Sequence, residues 1–238
     1  MKIRHRGGEN TASSYGSIPI HAAESVHKKV AELLRDRLPP HAAVADIGAG
    51  QGALSQRLHD AGFNVTAFDL SSEGWRSSDV VCRECDFNGS LEQIGQHGPF
   101  GALCAIEVIE HLENPRAFLR QLIELGRVSH AWLMISTPNP LDTFSAITMY
   151  TRGIFNWFSP AHYEGGGHIS ILPYWLIDEH LRFFGVTGQE WRFLSPFEHP
   201  SILKRLAYGA VSRLRRLASR SGNLVYFDGE SALMYVQL

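Results

Sequence analysis

The chain's hydrophobic and polar positions fall into short runs of two kinds. Within His21–Leu38, Val26, Val30, Leu33 and Leu34 recur at helical spacing, and Pro39-Pro40 closes the run, which predicts a leading helix after a polar, Gly/Ser-rich segment over 1–17. Compact stretches rich in Val, Ala, Ile and Phe then alternate with helical patterns. They predict strands over 43–47, 64–70, 80–85, 101–106 and 131–136, with helices over 52–61 and 115–126. Such alternation builds parallel βα units, so the expected fold class is α/β with helices on both faces of a sheet. After Ser136 the pattern changes: residues 137–167 hold Pro138, Pro140, Pro160 and three consecutive glycines around Phe144, Tyr150, Phe155, Trp157 and Phe158. This reads as an inserted cap or long loop. A helix over 173–184, a strand over 186–194, a helix over 201–219 and a strand over 231–238 complete the expected order. No internal repeat interrupts it.

With 238 residues, 44% hydrophobic and 19% charged, the chain suits one globular domain able to bury a core without metals or disulfides. The expected divisions are an N-terminal helical segment to 40, a cofactor-binding half over 41–136, a cap over 137–170 and a C-terminal half over 171–238. A net charge of −2 argues against overall attraction to nucleic acid. Three cysteines suit a reducing compartment better than a secreted disulfide framework. Cys82 and Cys85 form a C-x-x-C without a second pair to complete a zinc site, and read as small strand residues. The N-terminal stretch lacks an apolar signal core and no run is long enough to span a membrane, so the expected location is cytoplasmic.

Candidate chemistry begins at Val44-Ala-Asp46-Ile-Gly48-Ala49-Gly50-Gln51-Gly52, where a strand gives way to a helix and glycines let a ligand approach backbone N–H groups. With Ala53 the loop also fits the G-x-G-x-x-A dinucleotide pattern, and Asp69 lies where a ribose-binding acid belongs, so spacing leaves the cofactor open. Asp46 decides it: a carboxylate two residues before Gly48 would repel a diphosphate but suits the sulfonium and ammonium of S-adenosylmethionine. Asp46–Gly52 followed by Phe68-Asp69-Leu70-Ser71 resembles the first two motifs of the class I S-adenosylmethionine-dependent methyltransferases, over roughly residues 25–195. The resemblance implies a Rossmann-like seven-stranded sheet, mostly parallel with an antiparallel last strand. It also implies that Asp69 takes the ribose hydroxyls, that Asp86 and Phe87 flank the adenine, and that Ile106 and Glu107 close the methionine side. One departure is structural: Gly126-Arg-Val-Ser-His130 replaces the Lys-Pro-Gly-Gly turn usual before the fifth strand.

Glu107-Val-Ile-Glu110-His111 places two carboxylates and an imidazole at the end of the fourth core strand, on the sheet edge where open α/β folds bind ligands. It resembles the matching segment of the ubiquinone-biosynthesis O-methyltransferases and the small-RNA 3′-terminal 2′-O-methyltransferases, where such residues and a later histidine hold a divalent cation. The resemblance implies Glu107, Glu110, His111 and His168 as ligands of Mg2+ or Mn2+. An alternative leaves out the metal and makes His111 a general base, with Glu107 and His168 as further catalytic residues.

Ser136-Thr-Pro-Asn-Pro140, the aromatic insertion and Gly167-His168-Ile-Ser resemble a branch associated with polysaccharide and lipid-linked glycan modification. The expected reaction is O-methylation of a glycan or lipid-linked small molecule. RNA 3′-terminal 2′-O-methylation and a non-catalytic cofactor-binding module are the alternatives, and the oligomeric state stays open. From Leu203 to Arg220, Leu206, Ala207, Ala210, Val211, Leu214, Leu217 and Ala218 form an apolar stripe, with Lys204, Arg205, Arg213, Arg215, Arg216 and Arg220 on the other side. Either this stripe packs on the fold, or the helix meets an anionic membrane peripherally.

Overall fold

The computed structural model describes residues 13–195, 201–220 and 228–238, with the side chains of 204 and 218–220 outside the described set. Residues 1–12 of the expected polar leader also lie outside it. Seven strands make one sheet: β3 (Ala43–Ile47), β4 (Asn64–Asp69), β5 (Val81–Glu84), β6 (Ala102–Ile106), β7 (Trp132–Pro138), β8 (Glu190–Leu194) and β9 (Ser231–Gln237). Their order is β5-β4-β3-β6-β7-β9-β8. β3 pairs in parallel with both β4 and β6, β6 pairs in parallel with β7, and β9 runs antiparallel between β7 and β8. The expected α/β class and antiparallel last strand are both present.

Alternation along each strand sends side chains to two cores. Val44, Cys104, Met134 and Tyr235 point to one, shared with Val26, Val30 and Leu34 of α1 (Glu24–Arg37) and Leu54 and Leu58 of α2 (Ala53–Asp60). Ala45, Ile47, Leu103, Leu133 and Ile135 point to the other. It is closed by Phe118, Leu119 and Leu122 of α4 (Pro115–Arg127) and Ile177 and Leu181 of α7 (Tyr174–Phe183), with Ile94 of the short α3 (Glu92–Gly95). The same alternation puts Asp46 on the α2 face. Helix α4 starts where Pro115 follows Asn114, whose side chain accepts from Ala117 N–H at 3.0 Å. The strand order reverses between β3 and β6, which opens a crevice at their C-terminal ends.

Three expectations change. The segment after β7, expected as a cap or long loop without elements of its own, holds α5 (Thr143–Arg152) and α6 (Pro160–Gly166). Asp142 caps α5 by accepting from Phe144 and Ser145 N–H, and Gly153 ends it at φ +72°. The strand expected from 186 begins at Glu190, because Gly185 and Gly188 turn the chain at φ +74° and +83° and Val186 N–H closes the end of α7 on Leu181 C=O. The first helix begins at Glu24 rather than His21, since the chain bends at residues 21 and 22 and is extended at Ala23 after a small hairpin, β1 (Ser14–Tyr15) and β2 (Ile18–Pro19). That hairpin is clamped to α2: Tyr15 OH donates to Asp60 at 2.7 Å, and the Arg57 guanidinium lies 4.3 Å from the Tyr15 ring centroid. The last helix, α8 (Ile202–Arg220), lies against α5.

Candidate active site

A cavity of about 620 Å³ opens at the crevice. The glycine loop forms its floor through Gly48, Ala49, Gly50 and Gln51, and Ile106, Glu107 and His111 come from the end of β6. Trp157, His162 and His168 close one side, residues 19–23 after the hairpin cover another, and Glu230 and Ser231 enter beside β9. Such a volume is in the range of pockets for small organic ligands.

The loop is shaped by backbone geometry that only glycine adopts freely. Gly48, Gly50 and Gly52 have φ of +80°, +56° and +95°. A Cβ at Gly48 would run into Val108 Cγ2, and one at Gly52 would come within 2.9 Å of the Trp75 ring. Asp69 Oδ2 accepts from Gly50 N–H at 2.7 Å, which ties the end of β4 to the loop and leaves most of that carboxylate's acceptor sites for a diol. Asp46 is buried beneath the loop, accepts from Ser55 Oγ at 2.5 Å, and is pushed up to about 7 mainly by burial. A cation placed in the cavity would favour its ionised form.

The structure brings Asp46, Gly48, Ala49, Gly50, Gln51, Ile106, Glu107, His111 and His168 to the cavity, but not all the residues singled out in the sequence. Gly52, Asp69, Leu70, Asp86, Phe87 and Glu110 are not on its wall, Glu110 being fully buried. Leu70 is 66% exposed, Asp86 is exposed, and Phe87 is packed into the core against Phe118. The cavity therefore covers the methionine side of the expected cofactor site, with Asp69 standing beside it at the sheet edge.

Glu107 begins the second half of the site in a left-handed conformation, φ +56°, with its N–H directed to Ser136 C=O and Oγ. Its own carboxylate accepts from Ser136 Oγ at 2.8 Å. The kink leads into a 3-10 turn, Ile109–His111, that buries Glu110 completely, with its carboxyl against Glu107 and Thr137. Burial raises both carboxyl groups, Glu107 to about 7 and Glu110 well above the usual range, and repulsion by Glu107 adds to the rise at Glu110. The Glu110 carbonyl accepts from Ile169 and Ser170 N–H at 3.0 and 2.9 Å, and so draws His168 against His111, ring centroids 4.8 Å apart.

One ligand atom each from Glu110, His111 and His168 lies within 4.8 Å of the others. His111 Nδ1 meets Gly167 C=O at 3.2 Å and His168 Nδ1 meets Trp157 C=O at 2.7 Å. Carbonyls accept only, so each Nδ1 carries the proton and each Nε2 is left with a lone pair, the tautomer suited to metal ligation. Burial lowers the His111 pKa and keeps its ring neutral. A buried carboxylate beside two such imidazoles fits a divalent cation. Glu107, expected as a fourth ligand, supplies no atom to this group of three; its carboxylate accepts from Ser136 Oγ and lies against the Glu110 carboxyl.

A model of the family described as "Methyltransferase domain" matches residues 20–209. The chain belongs to the class I S-adenosylmethionine-dependent methyltransferases. A ubiquinone biosynthesis O-methyltransferase of Xanthomonas axonopodis pv. citri (strain 306) is 28% identical over 204 residues, 80% of this chain and 84% of that protein. Among solved structures, a SAM dependent methyltransferase from Archaeoglobus fulgidus superposes with a TM-score of 0.57 at 15% identity, over 89% of this chain and 94% of that one. The plantazolicin methyltransferase BpumL in complex with SAH gives 0.54 at 14% identity, over 90% and 82%. For this methyltransferase the glycine loop, Asp46 and the edge at Asp69 fit the cofactor.

Several wall residues were not singled out from the sequence. His162 stacks on His168 with ring centroids 6.0 Å apart and shares a 2.7 Å hydrogen bond between its Nδ1 and Ser159 Oγ. Trp157, named above only as one of the aromatics of the insertion, has φ +67° and lines the cavity. His21, His27, Glu230 and Ser231 carry no motif that would distinguish them. The C-x-x-C forms no site: Cys82 and Cys85 are free thiols raised by burial, Cys82 to about 11, and thiols so raised are unreactive.

Proposed function

We propose that this methyltransferase acts on a hydroxyl oxygen of a glycan or a lipid-linked small molecule, with Glu110, His111 and His168 holding a divalent cation. The carrying observation is that two imidazoles on the cavity that the glycine loop floors, each locked by a backbone carbonyl, converge with the fully buried Glu110 carboxylate beside them. The likeness to a ubiquinone biosynthesis O-methyltransferase supports an oxygen acceptor. Bound S-adenosylmethionine supplies a methyl group on a sulfonium, an electrophile that needs an aligned nucleophile more than it needs acid catalysis. A hard cation supplies Lewis acidity, which lowers the pKa of a hydroxyl near it.

The chain's own groups do the rest. Asp46 and Gly48–Gln51 face the cationic end of the cofactor, Asp69 offers acceptors to its ribose, and Trp157 and residues 19–23 shield the cavity from water. Glu107 braces Ser136 and sets the turn that aims Glu110 and His111. Chelation tests the reading: turnover should fall to background while S-adenosylmethionine binding persists, and added Mg2+ or Mn2+ should restore it. Full turnover in excess chelator would remove the cation and leave His111, with its burial-lowered pKa, as the base.

A further inference from the structure

Helix α8 is turned the wrong way round for a surface helix. It meets the rest of the fold through a polar face: Tyr208 OH and Ser212 Oγ donate to the two oxygens of Asp228 at 2.7 and 2.5 Å, and Arg215 donates to Leu141 C=O at 2.7 Å and Thr143 Oγ1 at 3.2 Å. Its apolar stripe faces outward. Ile202, Leu203, Leu206, Leu214 and Leu217 are 61–74% exposed, five of the fifteen large exposed hydrophobics among the described residues. From Leu203 to Leu217 this stripe runs about 21 Å along the axis. Arg205 and Arg213 are exposed beside it, and no acidic residue occurs in the sequence between Glu198 and Asp228. Among the described residues no helix is long and apolar enough to cross a membrane.

We propose that α8 is a docking surface for an anionic lipid bilayer, lying in the interface plane with its leucines in the acyl boundary and its arginines at the headgroups. Charge selects this occupant. Two copies joined through the stripe would set arginines against arginines with no acid to relieve them, and a polyanion bound by the arginines alone would leave five large apolar side chains in water. The surface also adjoins the cavity by a short path, since Asp228, which anchors α8, lies two residues before Glu230 on the cavity wall. Docking there would bring the cavity rim to a lipid-borne acceptor, yet the docking itself does not depend on the acceptor or cation assigned above.

Flotation of the full chain with phosphatidylglycerol–phosphatidylcholine vesicles at low salt tests the proposal, with pure phosphatidylcholine as control. Binding should require the anionic lipid and weaken with salt. Replacing both Arg205 and Arg213 with Gln should lower the partition coefficient roughly 25-fold, about fivefold per charge. L206E/L214E, at exposed positions and so without effect on folding or on calorimetric S-adenosylmethionine affinity, should abolish it. Equal binding to neutral vesicles, or none to anionic vesicles, overturns the proposal. So does a concentration-dependent dimer that L206E/L214E dissociates in the absence of lipid, which would assign the face to a second copy. Because these readouts need no methyl acceptor, their failure would leave the chelation result standing, and the reverse.

Discussion

Gly48 couples the cofactor loop to the acidic segment, and Gly48→Ala tests that coupling quantitatively. At φ +80° an L-residue is strained by about 1–2 kcal/mol, and the new methyl would overlap Val108 Cγ2, an overpacking cost of about 1–3 kcal/mol in a rigid interior. Together these predict a loss of about 2–5 kcal/mol, or roughly 4–20 °C in a domain of this size. Val108 is 5% exposed, and Val108→Ala alone should cost about 1–3 kcal/mol for the two buried methyl groups. In the double variant most of the steric part disappears, because the overlap with Val108 Cγ2 is gone and only Val108 Cβ, at 3.3 Å from the added methyl, stays a tight contact. The backbone part remains. The two substitutions should therefore be non-additive, with the double variant about 1–3 kcal/mol more stable than the sum of singles predicts. Urea unfolding of the four proteins measures this, with calorimetry of S-adenosylmethionine binding on each. Additivity within about 0.5 kcal/mol would refute the claim that Val108 packs on the loop.

Two further substitutions probe the carboxylates. Asp69→Ala should weaken S-adenosylmethionine binding by about 1.5–3 kcal/mol, the range for hydrogen bonds to a charged group, and an unchanged dissociation constant in calorimetry would place the ribose elsewhere. Asp46, held at about 7 in the folded protein against an ordinary 3.8, makes the folded state bind a proton that the unfolded chain has lost, so its contribution to stability falls as pH rises from about 4 to 7. Asp46→Asn removes that titration, and its stability relative to the parent should rise across this window to a plateau of about 4 kcal/mol above pH 7. Parallel stability profiles for the two proteins between pH 5 and pH 8 would contradict a buried, proton-holding Asp46.

The parallel core was legible because each of its strands is an uninterrupted apolar run bounded by turn residues, and burial on both faces admits little else. Their ends shifted by at most two residues. The helices within the cap escape the sequence pattern for a physical reason. Pro138, Pro140 and the glycines at 165–167 read as loop punctuation, yet the same stretch carries a helix signal in Asp142 before α5 and Gly153 after it. Similarly, Tyr15-Gly16-Ser-Ile18 held the turn of the hairpin, but two-residue strands give too short an alternation to register. Gly16 at φ +58° closes that turn, and through it residues 19–23 reach the cavity.

The site divides along a different line. Glu110 and His111 are neighbours in sequence, so a local motif reveals them; His168 joins them through two N–H groups that the Glu110 carbonyl accepts, a tie with no sequence signature. Glu107 shows the converse, since a motif position identified it while a left-handed φ and Ser136 hold its carboxylate beside Glu110 rather than among the three converging ligand atoms. Helix α8 makes the same point at the surface. Periodicity establishes that an apolar stripe exists and where it runs, but a stripe can face the core or the outside with the same 3.6-residue repeat. What decides the matter here is Asp228, distant in sequence, whose two oxygens take Tyr208 and Ser212 from the opposite side of the helix. Those charge-assisted hydrogen bonds hold the polar side inward, and the leucines are left facing out.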